Sequence, residues 1–367
     1  MTVAVLVASL KEGTETFVKH HIELLGADTR VFHGGLTPFL STSNPQKTDA
    51  TFTEKISFRI LKILGKEDNI RTYLLKKLIR KENIHCCYAE FGPVGVGALE
   101  ACKATGTKLV VNFHGYDAFR TDILQDYSDK YRELFDYCEH IVGVSRAMLK
   151  QLELLGCKSS KLTYLPCYPS SNFASLNYAP VKKQISFVGR FVEKKGPWLT
   201  LLAFKNLLQK HPDANLVMAG DGPLLSVCQS LCTALKISNV EFTGSLAHNA
   251  VESLYQNTMI YVQHSIVAAS GDREGTPVSV MEAMSAGIPV VCTRHQGIND
   301  VVEENVSGLL IDEQDIEAMA DAICQLLDSE NLRKSISNAA KSSITNLTID
   351  NTAASTLLRL TTQTQTT

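Results

Sequence analysis

Two carboxylates stand eight positions apart in Glu274-Gly-Thr-Pro-Val-Ser-Val-Met-Glu282, separated by a turn and a short apolar run. Ionised carboxylates only accept hydrogen bonds, which suits them to sugar and ribose hydroxyls. Gly275, Thr276, Pro277 and Val278 between them read as a helix start. Pro277 fits the first turn, where its missing N–H is no loss. The N–H groups of Gly275 and Thr276 then cluster at a helix N-terminus, which attracts anions such as a diphosphate. Treated as helix at about 1.5 Å per residue, the pair spans roughly 12 Å, about the reach from the sugar to the ribose of a nucleotide-sugar. Alone, the pair is equally a metal site, an acid–base couple or a surface accident.

Other residues narrow the choice. Gly189-Arg190-Phe-Val-Glu-Lys-Lys195-Gly196 follows an apolar run. Gly189 permits close backbone approach, Arg190 offers a planar fork and Lys195 a point charge, together suited to two phosphates. The bland alternative is two solvated cations. Gly220-Asp-Gly222-Pro223 is a tight turn into a helix, either purely structural or open to the close approach of a nucleotide base. His114, before Gly115, ends another apolar run and is a candidate to face substrate; a lone histidine is otherwise a packing residue. Gly13 opens the first helix in Gly13-Thr-Glu-Thr-Phe. Its N–H contacts phosphates or acceptor, or the segment is only a threonine cap. Gly92-Pro-Val-Gly95-Val-Gly97 fails the dinucleotide fingerprint because Glu100 holds the sixth place from Gly95, and no Walker-type loop exists.

These residues need a scaffold. Short β-branched runs alternate with helical patterns, the signature of parallel-sheet α/β architecture. Strands are expected at 3–9, 29–33, 84–90, 108–113, 140–144 and 161–165. After a Pro-, Ser- and Asn-containing linker at 167–183, a second series runs 185–189, 215–219, 240–243, 259–264, 289–293 and 308–311. The expected organisation is two Rossmann-like domains facing each other across a cleft, 1–178 and 181–345. A segment at 346–367 would return as a helix toward the first domain and end in a polar tail, disordered over 361–367. Ligands in such sheets sit at the carboxyl ends of strands.

The 367-residue chain has 44% hydrophobic and 20% charged residues and a net charge of −2, which describes an ordinary globular protein with no global drive toward nucleic acid. Its ten cysteines lack paired spacing and read as reduced, buried thiols. The apolar N-terminus lacks a positive flank and reads as a buried strand, and no apolar run is long enough to span a membrane. One segment stands out. Between 55 and 81, nine basic residues face two acidic ones, so this stretch carries +7 and the rest −9. Interleaved apolar residues make it either a basic amphipathic surface for an anionic membrane or two ordinary helices packed on the sheet.

Together, Glu274-x7-Glu282, Arg190 with Lys195-Gly196, Gly220-Asp-Gly-Pro and Phe113-His114-Gly115 resemble the retaining GT-B glycosyltransferases of family GT4. The stretch from Gly271 through His295-Gln-Gly-Ile is most similar to bacterial exopolysaccharide (colanic-acid-type) transferases. The resemblance implies a hexosyltransferase (EC 2.4) moving a sugar from a UDP- or GDP-linked nucleotide-sugar to a saccharide, often lipid-linked, with neither metal nor other cofactor. It implies that Glu274 binds the donor sugar and stabilises an oxocarbenium-like transition state, and that Glu282 holds the ribose. Arg190 and Lys195 would neutralise the diphosphate, Gly275 to Val278 would supply backbone to the donor pocket, and His114 would face the transferred sugar. It implies a front-face displacement with retention, in the cytoplasm or peripherally on the inner face of the cell membrane. Two features depart from the family: Gly13 stands alone where paired glycines are common, and Cys167-Tyr-Pro-Ser-Ser-Asn-Phe replaces an Asn-Gly-Val-Asp pattern. A GT-B epimerase and a non-catalytic nucleotide-sugar-binding scaffold are the competing expectations.

Overall fold

The computed structural model describes residues 1–9, 16–41, 67–169, 171–176, 178, 180, 182–349 and 352–362. Gly13 and the first part of the basic stretch, 55–66, lie outside the described residues. The chain forms two compact units, Met1–Pro166 with Asn351–Thr367, and Cys167–Asp350. The first boundary therefore falls before the Pro-containing segment, ahead of position 178 where the sequence suggested it. Cys167 is tied to the second unit by its N–H, which donates to Thr276 Oγ1 at 3.2 Å.

In the first unit, β1 (Thr2–Leu6), β2 (Arg30–His33), β3 (Leu40–Ser41), β4 (Ile84–Glu90), β5 (Lys108–Phe113), β6 (His140–Gly143) and β7 (Leu162–Tyr164) form one sheet. Their order is β3-β2-β1-β4-β5-β6-β7. Only the two-residue β3 runs antiparallel, and it was not visible as a sequence pattern. In the second unit, β8 (Gln184–Val188), β9 (Asn215–Ala219), β10 (Val240–Gly244), β11 (Ile260–Gln263), β12 (Val290–Thr293) and β13 (Leu309–Ile311) are ordered β10-β9-β8-β11-β12-β13. Both orders reverse beside the first strand of their series, between β1 and β4 and between β8 and β11. Such a switch point opens a crevice at the strands' carboxyl ends.

Burial on both faces explains the near-continuous apolar strands. In β11, Ile260 and Val262 join one hydrophobic cluster while Tyr261 joins the other. In β12, Val291 takes the first side, Val290 and Cys292 the second. This is the period-2 alternation of a strand with a core on each side. All ten cysteines are free and buried.

Two sequence expectations change here. The helix Glu67–Lys81 turns Ile70, Leu74, Leu75, Leu78 and Ile79 into the core, leaving Tyr73, Arg80 and Lys81 exposed. The apolar face of this part of the basic stretch serves packing. At the other end, Thr352–Thr362 is a helix within the first unit, so Thr361 and Thr362 are ordered, not tail. Leu357 and Leu360 are buried, and Thr361 Oγ1 donates back to Leu357 O at 2.8 Å. No described helix is long and apolar enough to cross a membrane.

Candidate functional site

In the second unit the chemistry gathers where β8, β11 and β12 end. Gly189 follows β8, and a Cβ there would make only an ordinary van der Waals contact with the Lys195 side chain, at 3.5 Å. Lys195 closes a short 3-10 turn, Glu193–Lys195, capped by Gly196 with φ 50°. A Cβ on Gly196 would lie 2.1 Å from His264 O, so glycine is required both for that backbone angle and for the close approach. The turn aims Lys195 inward. Its ammonium donates to Glu274 Oε2 at 3.1 Å and to Gln263 Oε1 at 3.2 Å. Gln263 Oε1 also accepts from Tyr261 at 3.1 Å and Ser279 at 3.3 Å. Five side chains, Lys195, Tyr261, Gln263, Glu274 and Ser279, thus meet around one carbonyl oxygen and one ammonium.

Glu274 is 4% exposed. Burial alone would raise its pKa, but Lys195 and then Lys194 outweigh it and hold the carboxyl below its usual range. Its second oxygen, Oε1, is buried and accepts no hydrogen bond from the described residues. A buried, charged acceptor of this kind costs about 1–3 kcal/mol or more when unmet. The Glu274 main chain is fixed independently. Its N–H donates to His295 Nε2 at 3.1 Å, and His295 Nδ1 meets Glu313 Oε1 at 2.6 Å. Since Nε2 accepts, the ring proton sits on Nδ1 and is donated to Glu313. Glu313 Oε2 in turn accepts from Val267 N at 3.0 Å. Gly297 closes the arrangement: a Cβ there would fall 1.4 Å from Gly275 O.

The helix carrying Glu282 runs Val278–Ser285, with Pro277 at its cap and not in its first turn. Thr276 precedes a proline, which disfavours helical backbone, so the segment from Glu274 to Pro277 is a turn. The roughly 12 Å span calculated for a continuous helix therefore does not describe this pair. Glu282 is 8% exposed, and burial pushes its carboxyl up to about 8, with Lys195 opposing only in part. At neutral pH it is mostly a neutral acid, one donor plus acceptors, and not the ionised acceptor expected from sequence.

Arg190 is exposed and makes no ion pair among the described residues. Lys194, its unnoticed neighbour, is the more buried cation, donating to Asp272 Oδ1 at 3.1 Å and Arg273 O at 3.2 Å. Gly220 and Gly222 serve the scaffold. Added Cβ atoms would lie 1.9 Å from Gly189 O and 2.6 Å from Phe191 O, so these glycines let the β9 loop lie against the β8 loop.

In the first unit, His114 follows β5 beside Glu90, the last residue of β4. Glu90 is fully buried; its Oε2 lies 2.7 Å from His114 Nε2 and its Oε1 2.7 Å from His21 Nδ1. Burial would raise Glu90, yet His21 and His114 overcome it and bring the carboxyl to about 2. Asp117, also buried, accepts from the N–H groups of Gly92, His114 and Gly115 at 2.9–3.0 Å.

The family models match both units: "Glycosyltransferase Family 4" over residues 15–168 and "Glycosyl transferases group 1" over residues 171–343. The chain belongs to the family 4, group 1 glycosyltransferases. Among curated members of this family, it is 30% identical over 261 residues to a protein named as the colanic acid biosynthesis glycosyltransferase WcaL of Escherichia coli K12, covering 68% of this chain and 64% of that one. It is 32% identical over 251 residues to the amylovoran biosynthesis glycosyltransferase AmsK of Erwinia amylovora, covering 65% and 60%. The chain thus spans less than two thirds of either relative. Its fold is GT-B, with two Rossmann-like sheets. It superposes on Anabaena HepE, solved with UDP and glucose, at TM-score 0.73 and 17% identity, covering 97% of this chain and 99% of that one. For sucrose-phosphate synthase of Thermosynechococcus elongatus the TM-score is 0.75 at 16% identity, covering 98% of each.

Sequence reasoning left several residues of these two clusters unassigned: Gln263, His295, Gly297 and Glu313 in the second unit, and Glu90 in the first. His295 and Gly297 lay in a segment already singled out for its resemblance. Glu90 carried the one remaining clue, a charge closing an apolar strand.

Proposed function

We propose that this chain is a retaining glycosyltransferase that moves a sugar from a UDP- or GDP-linked nucleotide-sugar to a saccharide acceptor, lipid-linked and destined for an exopolysaccharide. The observation that carries the reading is Glu274: a buried carboxylate held charged by Lys195, with one oxygen that no group among the described residues satisfies. A sugar hydroxyl supplies the missing donor. An anionic carboxylate there also favours the positive charge that develops on the sugar as its bond to phosphate breaks.

In the proposed step, the C1–O bond to the β-phosphate breaks and the acceptor oxygen bonds C1 from the same face. The acceptor's proton passes to the departing phosphate oxygen, and a nucleoside diphosphate leaves. Lys195 and Arg190 offset the charge growing on that phosphate, a task that requires no metal. Glu282, largely neutral, can donate to a ribose hydroxyl as well as accept from one. His114 hydrogen-bonds a sugar hydroxyl. Relatives named for colanic acid and amylovoran biosynthesis support the exopolysaccharide reading, and a fold neighbour solved with UDP supports the donor class.

Thermal shifts across UDP-, GDP- and ADP-sugars identify the donor, since a ligand of the native state raises its melting temperature. With that donor, Glu274→Ala should lose transfer by about 10²-fold or more. Transfer at the wild-type rate would sink the assignment. Binding without turnover would point to a scaffold, and isomerised donor without acceptor to an epimerase.

The location proposed is the cytoplasm, peripheral on the inner face of the cell membrane. Because the apolar face of Glu67–Lys81 is buried, attraction through this helix is electrostatic, about 1 kcal/mol per exposed basic residue near an anionic surface. Flotation with anionic liposomes should fall on charge reversal of Lys76, Lys77, Arg80 and Lys81; equal flotation would remove the claim.

A further inference from the structure

The Glu90 cluster carries more than the family pattern assigns. A carboxylate with no exposure needs donors, because a bare charge in an apolar setting is prohibitive. Glu90 has three: His21 and His114 at 2.7 Å on separate oxygens, and Asn112 Nδ2 at 3.4 Å. One ring alone would anchor the Thr16–Leu25 helix to the sheet through His21. The second oxygen is given to His114.

His114 is constrained from two further sides. Asp117 Oδ1 accepts from its backbone N–H at 3.0 Å and from Gly115 N at 2.9 Å, which sets the turn. Phe91 places its ring 4.7 Å from the imidazole, and it does so with φ 78°, a strained backbone for a bulky residue. Phe91 N donates to Asn112 O at 2.8 Å, so the strained residue is locked to β5. Three residues therefore fix the position, the face and the hydrogen-bonding edge of one ring.

We propose that Glu90 is a positioning residue for transfer: as an acceptor-only carboxylate it places the His114 ring proton on Nε2 and fixes the tautomer and edge that the ring presents to substrate. This rests on the proposed transferase reading, in which His114 meets the sugar. No proton is transferred in this role; the carboxylate selects a tautomer, as carboxylates do for imidazoles elsewhere.

The test combines ¹⁵N NMR of the histidine rings in the ligand-free full chain with steady-state transfer. In the wild type, His114 should carry its proton on Nε2; protonation on Nδ1 alone would overturn the proposal without any variant. In Glu90→Gln, one amide oxygen replaces two carboxylate oxygens, and the amide N–H₂ faces one ring as a donor. One of the two histidines must then change tautomer. If it is His114, kcat should fall about 10–100-fold, the range seen when carboxylates orienting metal-bound imidazoles are removed, while the donor KM stays within about twofold. Glu90→Asp, which keeps both acceptor oxygens, should recover part of that loss. Retained kcat in Glu90→Gln despite a switched His114 tautomer would overturn the proposal, as would equal loss in kcat and donor affinity. His114→Ala separates the two readings. If it transfers normally, the role of His114 in transfer falls. If it is inactive while Glu90→Gln is normal with its His114 tautomer switched, only the role of Glu90 falls; if His21 switches instead, kcat should be retained, and a fall would overturn the proposal.

Discussion

Glu274 and Glu282 lie eight residues apart, and both are buried, yet their surroundings drive them to opposite charge states. Glu274 sits on a turn within reach of Lys195, and the ammonium keeps it ionised. Glu282 rides on a helix among Val280, Met281, Ala283 and Met284, all buried, and burial pushes it to about 8. The same side chain gives an anion where an ammonium pairs with it directly and a neutral acid where burial outweighs the ammonium that acts on it. Glu90 in the first unit repeats the Glu274 solution with two imidazoles in place of one ammonium. Burial alone thus does not decide the charge of a carboxyl here; its balance against paired cations and imidazoles does.

The most damaging way to break the contrast is Lys195→Ala. It leaves Glu274 without its direct ion-pair partner and should cost about 3–5 kcal/mol of stability, measured by urea unfolding. It should also raise the carboxyls of Glu274 and Glu282 together, because Lys195 lowers both. Unchanged stability would mean that the ion pair does not hold Glu274.

Gly297→Ala attacks the backbone side of the same carboxylate. Its Cβ would fall 1.4 Å from Gly275 O, so the Glu274 turn must move. A shift of about 1 Å can cost on the order of 100-fold in transfer, and little of that loss should appear in the fold's far-ultraviolet signature. Normal transfer would show that the turn tolerates displacement.

Glu282→Gln sharpens the contrast through pH. Because the folded carboxyl titrates near 8, above its unfolded value, its contribution to stability is fully present below the unfolded pKa of 4.5. That contribution is lost as pH rises toward about 8. The neutral amide should remove this downward slope, leaving the variant as stable as the wild type in acid and more stable above pH 8. Parallel pH–stability curves would place Glu282 in an ionised state. Glu90 has the opposite sign: its contribution, present above 4.5, is lost as pH falls toward about 2.

The smallest effect is expected at Arg190. Exposed and outside the Glu274 cluster, it should change stability by less than about 0.5 kcal/mol on mutation to Ala. Transfer should fall all the same, because Arg190 offsets charge on the bound phosphate; unchanged transfer would remove it from the site.

Much of this architecture was legible in the chain. Repeating β-branched runs identified twelve of the thirteen described strands; only the two-residue β3 was too short to form a pattern. Glu274, Lys195 and His114 were legible because each sits beside a glycine or turn at the end of a strand, where a parallel sheet exposes side chains to ligands. The partners were not. Gln263 is 68 residues from Lys195, and His21 is 69 from Glu90, and nothing local in the sequence couples such pairs. The glycines illustrate the same limit. Gly220 and Gly222 read either as a structural turn or as a ligand approach, and only the fold shows that their missing Cβ atoms make room for neighbouring backbone.

By itself, then, the sequence determined the elements, their α/β alternation and the residue types available for chemistry, because periodicity and turn chemistry act over a few residues. Tertiary structure alone decided that Glu274 is charged and Glu282 neutral, and that His295 turns its Nε2 lone pair to a backbone N–H. It also decided that Glu90 faces two rings. Charge and tautomer depend on desolvation and on donors a few ångströms away, and folding brings those donors from distant parts of the chain.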